Sequence, residues 1–426
     1  LVKKKMAVLL FIVFLFTGCF SDRKDIKNNE DSRLKGDLTI WAEEQYFSYL
    51  KDSSKRFKEK YPDININIVS KTEEEVNNKF IHNYNTAQEK PDIITMKSSF
   101  ISAYSQNKDV LNPLTNLAGK YEKNFIKARL EEVKMENDYY GFPIDAKPAV
   151  LFYRKDILES IGFFPEDINS WKSVLEASEK LKLAAQNKKK IFGISSRDYN
   201  KLMALFANQC SMESYFKGDN IDTTISRYEK ILSLIKALIE TSNIGVYESE
   251  QEMIEGFKKG NIALIIGFPD YVQKLGSDNL PVGVKSLPAF EPGGNTSAQI
   301  PAYNLTISNY SKNKEAAEKF IEFALTDTQA LADAMIKQGI FPVYTPVYNK
   351  EIFDSRIEAL SKDKVYGIFE KTYKNSPSIK YNSYDFHIEN IFHSSIENMV
   401  KGENVESVLN KLIKDMNELV IKKQPD

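Results

Sequence analysis

Three kinds of side chain in this chain could carry chemistry: a carboxylate pair, a few histidines and two cysteines. Glu43 and Glu44 are adjacent. Neighbours on one element point apart, whereas cleavage of a glycosidic bond needs two carboxyl groups about 5–10 Å apart across it. The pair therefore reads as a solvated turn or as acceptors for ligand hydroxyls. Of the histidines, His82, His387 and His393, the last two are six residues apart on an expected helix. They face different sides, and a metal site needs converging ligands. Cys210 ends the apolar run ALFANQC and reads as a small core residue rather than a nucleophile. No HExxH, P-loop, GxSxG or glycine-rich dinucleotide motif occurs. The residues thus argue for binding rather than catalysis, with no cofactor.

Cys19 is different. Lys3, Lys4 and Lys5 precede an unbroken apolar run over 6–16, then Thr17-Gly18-Cys19, after which the chain turns polar. A basic start, a short apolar stretch and small residues before a cleavage point make a secretory signal peptide. The run is shorter than the roughly 20 residues a membrane-spanning helix needs. The segment FTGC resembles the lipobox of bacterial lipoproteins, with Phe16 where leucine is usual. The resemblance implies removal of 1–18 and lipidation of Cys19. Acyl chains there would hold the protein to the outer face of the cell membrane, at about 0.8 kcal/mol per buried CH₂. Residues 19–36 are polar and charged and read as a flexible tether.

Composition agrees with an extracytoplasmic globular protein. Cleavage before Cys19 removes three lysines and no acids, so the 58 basic residues fall to 55 against 59 acidic ones, a net charge of −4. That excludes the basic footprint of nucleic-acid binding. Only Cys210 remains beyond Cys19, so no internal disulfide can form. The 26 Phe and 22 Tyr supply material for cores and for an aromatic-lined cleft.

These residues need elements to position them. LTIWA (38–42) reads as a strand. Phe47, Leu50, Phe57 and Tyr61 then recur on one helix face, with Trp41 taken as core. Ile64, Ile66 and Ile68 alternate with asparagines as a half-buried strand. Strand, helix and strand within about 32 residues make a βαβ unit and imply a parallel sheet. Further strands are expected at 91–95, 149–153 and 262–267. Helices are expected at 171–183, where Trp171 is structural, and at 315–325, 388–400 and 405–420.

Six segments in order resemble the type-1 extracellular solute-binding proteins of ABC importers, the family of the maltodextrin-binding protein. They are LTIWAEEQYFSYLKDSSKRFKEKYPDININI; PDIITM followed by LNPL; YYGFPIDAKPAVLFYRKDILESIGF followed by Ser170-Trp171; GFKKGNIALIIG; ISNYSKNKEAAEKFIEFALT; and GIFPVYTPVYN. The sequence departs at Arg154, where the family usually has Asn, and at SAQIPAY (297–303), where glycine-rich sequence is common.

The resemblance implies an α/β fold of two lobes, each a mainly parallel sheet flanked by helices, with a hinge and a cleft between them. The chain would cross at 145–148, 303–305 and 341–344. Residues 37–146 plus 304–343 would form lobe one, and 147–303 plus 344–426 lobe two. The implied function is capture of a small solute, a sugar or oligosaccharide, by a monomer that delivers it to permease subunits in the membrane. The alternatives are a non-saccharide solute such as a polyamine, or a surface sensor or adhesion lipoprotein without transport.

By motif, the ligand would be met by Glu43, Glu44 and Gln45 after the first strand, by Ser98 and Ser99, and by Asp145 and Lys147 at the first crossing. Asp270 and Tyr271 follow the turn after the 262–267 strand, and Pro269 should end that strand and expose them. Tyr271 is a candidate ring for the C–H face of a sugar, its alternative being core packing with Asp270 capping a helix near Val272. Tyr303, Tyr384 and Phe386 are further aromatic candidates.

Overall fold

The strand after the first polar stretch is β1, Gly36–Ala42, and every residue of it pairs in parallel with β2, Ile64–Ser70. The connecting helix, Glu44–Lys60, begins where the Glu43 carboxylate accepts from the Gln45 N–H. Its buried stripe is Tyr46, Tyr49, Leu50, Ser53 and Phe57, not one that starts at Phe47, which is half-buried. The two tyrosines set this register. The Tyr46 hydroxyl donates to the Asp145 carboxylate, and that of Tyr49 to the Ala324 carbonyl. A phenol whose hydroxyl finds a partner buries as well as a phenylalanine. Trp41 is core, as expected.

The structure, a computed structural model, describes residues 34–76, 90–105, 110–186, 188–211, 214–215, 222–241, 243–276, 280–349, 351–361 and 363–421. The expected signal peptide, Cys19, most of the tether and His82 lie outside the described residues. No helix among the described residues is long and apolar enough to cross a membrane.

The first sheet has the order β2–β1–β3–β14–β4, where β3 is Ile93–Lys97, β4 Leu111–Asn112 and β14 Tyr303–Ser308; β7, Phe142–Pro143, also pairs with β14. A small hairpin, β5 (Lys134–Met135) with β6 (Asp138–Tyr139), stands apart. The second sheet has the order β10–β9–β11–β8–β12. Here β8 is Pro148–Arg154, β9 Lys190–Ser195, β10 Ile244–Tyr247, β11 Ile262–Gly267 and β12 Val282–Lys285; β13, Ala298–Gln299, pairs with β8.

The expectation of mainly parallel sheets needs correction, because both are mixed. The βαβ strands β1, β2 and β3 are parallel, as are β9, β10 and β11. β14 in the first sheet and β8 in the second run antiparallel to their neighbours. Each enters its sheet from the other one, not through a helical crossover, so nothing forces the parallel sense.

Helices cover both sheets. Lys314–Thr326 packs on the first, with Thr328–Gln338 against helix Glu44–Lys60, and Val365–Asn375 packs on β8 and β12 of the second. Asp385–Val400 and Val405–Ile421 join Tyr199–Gln209 and Asp222–Glu240 beside the second sheet. Helix Trp171–Ala184 starts at Ser170, whose side chain accepts from the Ser173 N–H, and the buried Trp171 indole donates to Gln209 at 3.2 Å. Arg154 has a local role. Its guanidinium donates to the carbonyls of Phe257 and Lys258 at the end of helix Glu250–Lys258 and pairs with Asp156. It thus satisfies carbonyls that a helix end leaves open.

The chain passes between the sheets three times, and the three passages lie side by side. The Ile144 N–H donates to Tyr303 O (3.2 Å), Ala146 N–H to Phe341 O (3.0 Å) and Ile300 N–H to Lys147 O (3.2 Å). The second passage is at 300–302. It lies ahead of the expected 303–305, which already belongs to β14.

Candidate ligand-binding site

A cleft of about 1020 Å³ opens between the two sheets, at the upper end of the roughly 300–1,000 Å³ typical of small-molecule sites. Its base is the first passage. Lys147 lines the cleft and holds Asp145 (3.2 Å) and the Gln45 side-chain oxygen (2.8 Å). Burial works against the Lys147 charge, but Asp145 and Asp270 outweigh it and keep the ammonium above the ordinary lysine range. Asp145 itself is fully buried behind the lining, accepting from the Tyr46 hydroxyl (2.7 Å) and the Tyr303 N–H (3.2 Å).

Beneath this base lies Arg129, fully buried. Its Nε donates to Asp145 O (3.1 Å), its Nη2 to Tyr303 O (3.2 Å) and Asn304 Oδ1 (3.2 Å), and its Nη1 to Ser98 Oγ (3.0 Å) and the Glu132 carboxylate. One guanidinium therefore ties two of the three passages together.

Each wall brings its own groups. From the first sheet come Glu43, Glu44, Ser99, Glu73, Lys97 and Tyr303. Tyr303 donates to Glu73 at 2.6 Å, and Lys97 bonds Glu73 at 3.0 Å and, across the cleft, Glu389 at 3.0 Å. Asn200 also donates to Glu389 (3.2 Å), so one polar chain spans both walls. Lys97 is pushed down by burial but raised further by Glu389 and Glu73, ending well above the ordinary lysine range. Burial raises the Glu43 carboxyl above its usual value.

On the opposite wall Asp270 holds Lys274 at 2.6 Å. Burial is outweighed by Lys147 and Lys274, so its pKa is lowered. Ile300 and Pro301 of the SAQIPAY segment complete the lining near Tyr303.

The expected contacts thus divide. Glu43, Glu44, Gln45, Ser99, Lys147, Asp270 and Tyr303 line the cleft, with Asp145 directly behind. Four do not. Ser98 is fully buried in the Arg129 network. Tyr271 is turned inward against Phe152 (6.0 Å) and Phe268 (6.1 Å). Gly267 leaves the space for that ring, because a Cβ there would stand 2.5 Å from it. Pro269 does end the strand, but a helix starts at Tyr271 at once, and Asp270 makes no capping hydrogen bond to it. Phe268, not Tyr271, is among the residues that line the cleft.

Tyr384 is the residue before helix Asp385–Val400, and Phe386 packs on Phe100 (5.3 Å) and Tyr104 (6.3 Å). The cleft face of that helix is Asp385, Ile388, Glu389 and Phe392. With about 100° per residue, Phe386 points elsewhere. Sequence reasoning missed this stripe, and with it Glu73, Lys97, Tyr215 and Tyr381. The i, i+3, i+4, i+7 pattern was present, but the helix has no feature that tells its cleft side from its core side.

Among the described residues no group of His, Cys, Asp or Glu is arranged to hold a metal ion. His387 lies against Phe386 and His393 against Tyr199. Burial pushes the Cys210 thiol up to about 11.

Solved structures with the same fold include the GacH receptor of Streptomyces glaucescens, studied unliganded and with acarbose. It has a TM-score of 0.75 and 16% identity, covering 92% of this chain and 100% of that one. The sugar-binding protein MalE of Xanthomonas citri also has a TM-score of 0.75 and 16% identity, covering 91% and 98%. Both share the two-lobed fold.

Among sequence relatives, an arabinooligosaccharide-binding protein of Bacillus subtilis (strain 168) is 24% identical over 345 residues, 75% of this chain and 76% of its own. A lactose-binding protein of Rhizobium radiobacter is 23% identical over 401 residues, 89% and 92%. The family model for bacterial extracellular solute-binding proteins matches residues 41–331, which include strands of both sheets and most of the cleft lining, and this chain belongs to that family.

Proposed function

We propose that this protein captures a saccharide, a sugar or oligosaccharide, outside the cytoplasm and hands it unchanged to the membrane subunits of an ABC importer. The observation that carries this reading is the cleft itself. It is a space of about 1020 Å³ between two sheets, joined by three passages that lie side by side and lined by carboxylates, amides, lysines and aromatic residues. Carboxylates and amides accept from sugar hydroxyls, and rings such as Phe268 and Tyr303 offer flat surfaces to C–H faces. The relatives named for arabinooligosaccharide and lactose support the same class.

In this reading lobe one comprises 37–146 and 303–343, and lobe two 147–302 and 344–426, with the second boundary moved from the expected 303/304 to where β14 begins. The lobes flex about the three passages, and ligand shifts the equilibrium toward the closed form by as much as it prefers that form. The protein acts as a monomer, held to the outer membrane face by lipid on Cys19 after loss of 1–18.

A thermal-shift screen over mono- and oligosaccharides tests the reading. A ligand present at 100 times its Kd stabilises by about 2.7 kcal/mol, which raises the melting temperature by several degrees. If no saccharide shifts the melt while polyamines or amino-acid derivatives do, the saccharide reading is wrong.

A further inference from the structure

Asp385 opens helix Asp385–Val400 and is almost fully buried, yet it lines the cleft. One carboxylate oxygen accepts from the Asn382 N–H at 2.6 Å, while Oδ1 has no partner. Tyr215 lines the same wall, also buried, and its hydroxyl too has no partner. The Tyr215 ring meets Tyr381 at 6.4 Å and Phe392 at 5.1 Å, and both rings also line the cleft.

Among the described residues, no lysine or arginine pairs with Asp385. Glu73 and Glu389 share Lys97, Glu250 and Asp270 share Lys274, and Asp145 has Lys147. Buried charges are paired in folded proteins because an isolated one is costly. The described lining as a whole holds eight carboxylates against five lysines, so the cleft is short of positive charge.

We propose that Asp385 and the rings of Tyr215, Tyr381 and Phe392 form a cation subsite that receives a protonated amine carried by the ligand. The inference rests on the saccharide reading and narrows it to amino-substituted saccharides. A hydroxyl could bond Oδ1 of the neutral acid, but it brings no positive charge to favour the ionised form of this buried group. An ammonium supplies both the donor and the charge, and aromatic faces attract it as well.

Without ligand, burial pushes the Asp385 carboxyl up to about 8, against the Asn382 N–H, which lowers it. The titratable groups around it are Tyr215, Tyr228 and Tyr381, all held neutral by burial. Glu389 lies one turn along, tied to Lys97, and the Arg129–Glu132 pair acts on Tyr381. At pH 6.5 the empty subsite holds a carboxylic acid. An incoming ammonium converts it to an ammonium–carboxylate pair, and the acid proton leaves to solvent.

The test is calorimetric titration at pH 6.5 with matched probes: glucose against glucosamine, galactose against galactosamine, and β-1,4 oligomers of glucose against those of glucosamine. Each is run in two buffers of different ionisation enthalpy. The expected result is that the amine member of at least one pair binds about tenfold tighter and releases about one proton. In Asp385→Asn, which keeps an acceptor for Asn382, both the preference and the proton release should disappear. Should that variant melt early, the buffer dependence of the unchanged protein decides alone. Equal affinity within every pair, binding without proton release, or an amine preference that survives Asp385→Asn overturns the proposal and leaves the saccharide reading standing. If no member of any pair binds, both fall together.

Discussion

Replacing Arg129 by methionine removes the guanidinium that ties Asp145 to Tyr303 between the lobes. The side chain is 1% exposed and that of Glu132 4%, so solvent screens neither. The variant leaves the Glu132 carboxylate buried with only Ser98 as donor, and leaves the carbonyls of Asp145 and Tyr303 without their guanidinium contacts. Breaking a buried pair by removing one partner costs about 3–5 kcal/mol. At about 2–4 °C per kcal/mol for a domain of 150–250 residues, the melting temperature should fall by about 6–20 °C.

The loss should depend on pH. Burial raises the Glu132 pKa in the intact protein, and Arg129 and Ser98 oppose that rise. Without Arg129 it climbs further. A carboxyl whose folded pKa lies above its unfolded value binds its proton more tightly when folded. Its penalty is therefore absent below the unfolded pKa of about 4.3 and grows as pH rises toward the folded pKa. Arg129→Met should thus regain stability between pH 8 and pH 5 more than the parent does, and Glu132→Gln in the same chain should recover part of the loss at pH 8. Scanning calorimetry across that range reads all three. A loss under about 1 kcal/mol, or a deficit that does not change with pH and is not relieved by Glu132→Gln, would show that the pair does not support the hinge.

Tyr271→Ala should lower the melting temperature, since removal of a large buried ring costs about 3–5 kcal/mol, while titration calorimetry finds the affinity of the folded fraction unchanged; weakened binding with an intact melt would put the ring in the site. Gly339→Ala should also destabilise, because φ is +68° and a Cβ would stand 2.2 Å from the Asp270 backbone; an unchanged melt would refute the close approach. Cys19→Ala should move the protein out of the detergent phase or leave an uncleaved precursor, and unaltered partitioning would dismiss the lipobox. Small-angle scattering with a ligand from the thermal screen should give a smaller radius of gyration at saturation, and an identical curve would count against closure.

The first βαβ unit was legible because its signals are local. Alternating isoleucines gave β2, and the helix expected at 315–325 forms over Lys314–Thr326, with Ala316, Phe320 and Ala324 four apart on its buried face. The antiparallel sense of β8 and β14 was not legible, since it depends on where the chain has come from. In the site, residues that follow a strand, Glu43 to Gln45 and Ser99, were found because strand ends have a known destination. Lys97, Glu73 and Glu389 were not. They meet through segments 24 and 292 residues apart, and nothing in any one segment announces the others. The sequence left Tyr271 open between stacking on ligand and core packing for a similar reason. The space that draws its ring inward is left by Gly267 and walled by Phe152, more than a hundred residues earlier.

The backbone bonds among the three passages have a mechanical consequence. Ile144 with Tyr303, Ala146 with Phe341 and Ile300 with Lys147 make them a ribbon, not three separate cords. Strands in a ribbon cannot slide past one another without breaking bonds, but they can bend together, so the lobes keep one soft coordinate, the opening angle. A substitution at a ribbon residue outside the lining, such as Ile144, Ala146 or Phe341, changes the open–closed constant that every ligand shares, and multiplies all affinities by one factor. A substitution in a wall changes each ligand separately and reorders them. Strength of capture and choice of cargo can therefore drift independently where the ribbon residue lies behind the lining, whereas Lys147, Ile300 and Tyr303, which belong to both ribbon and lining, couple the two.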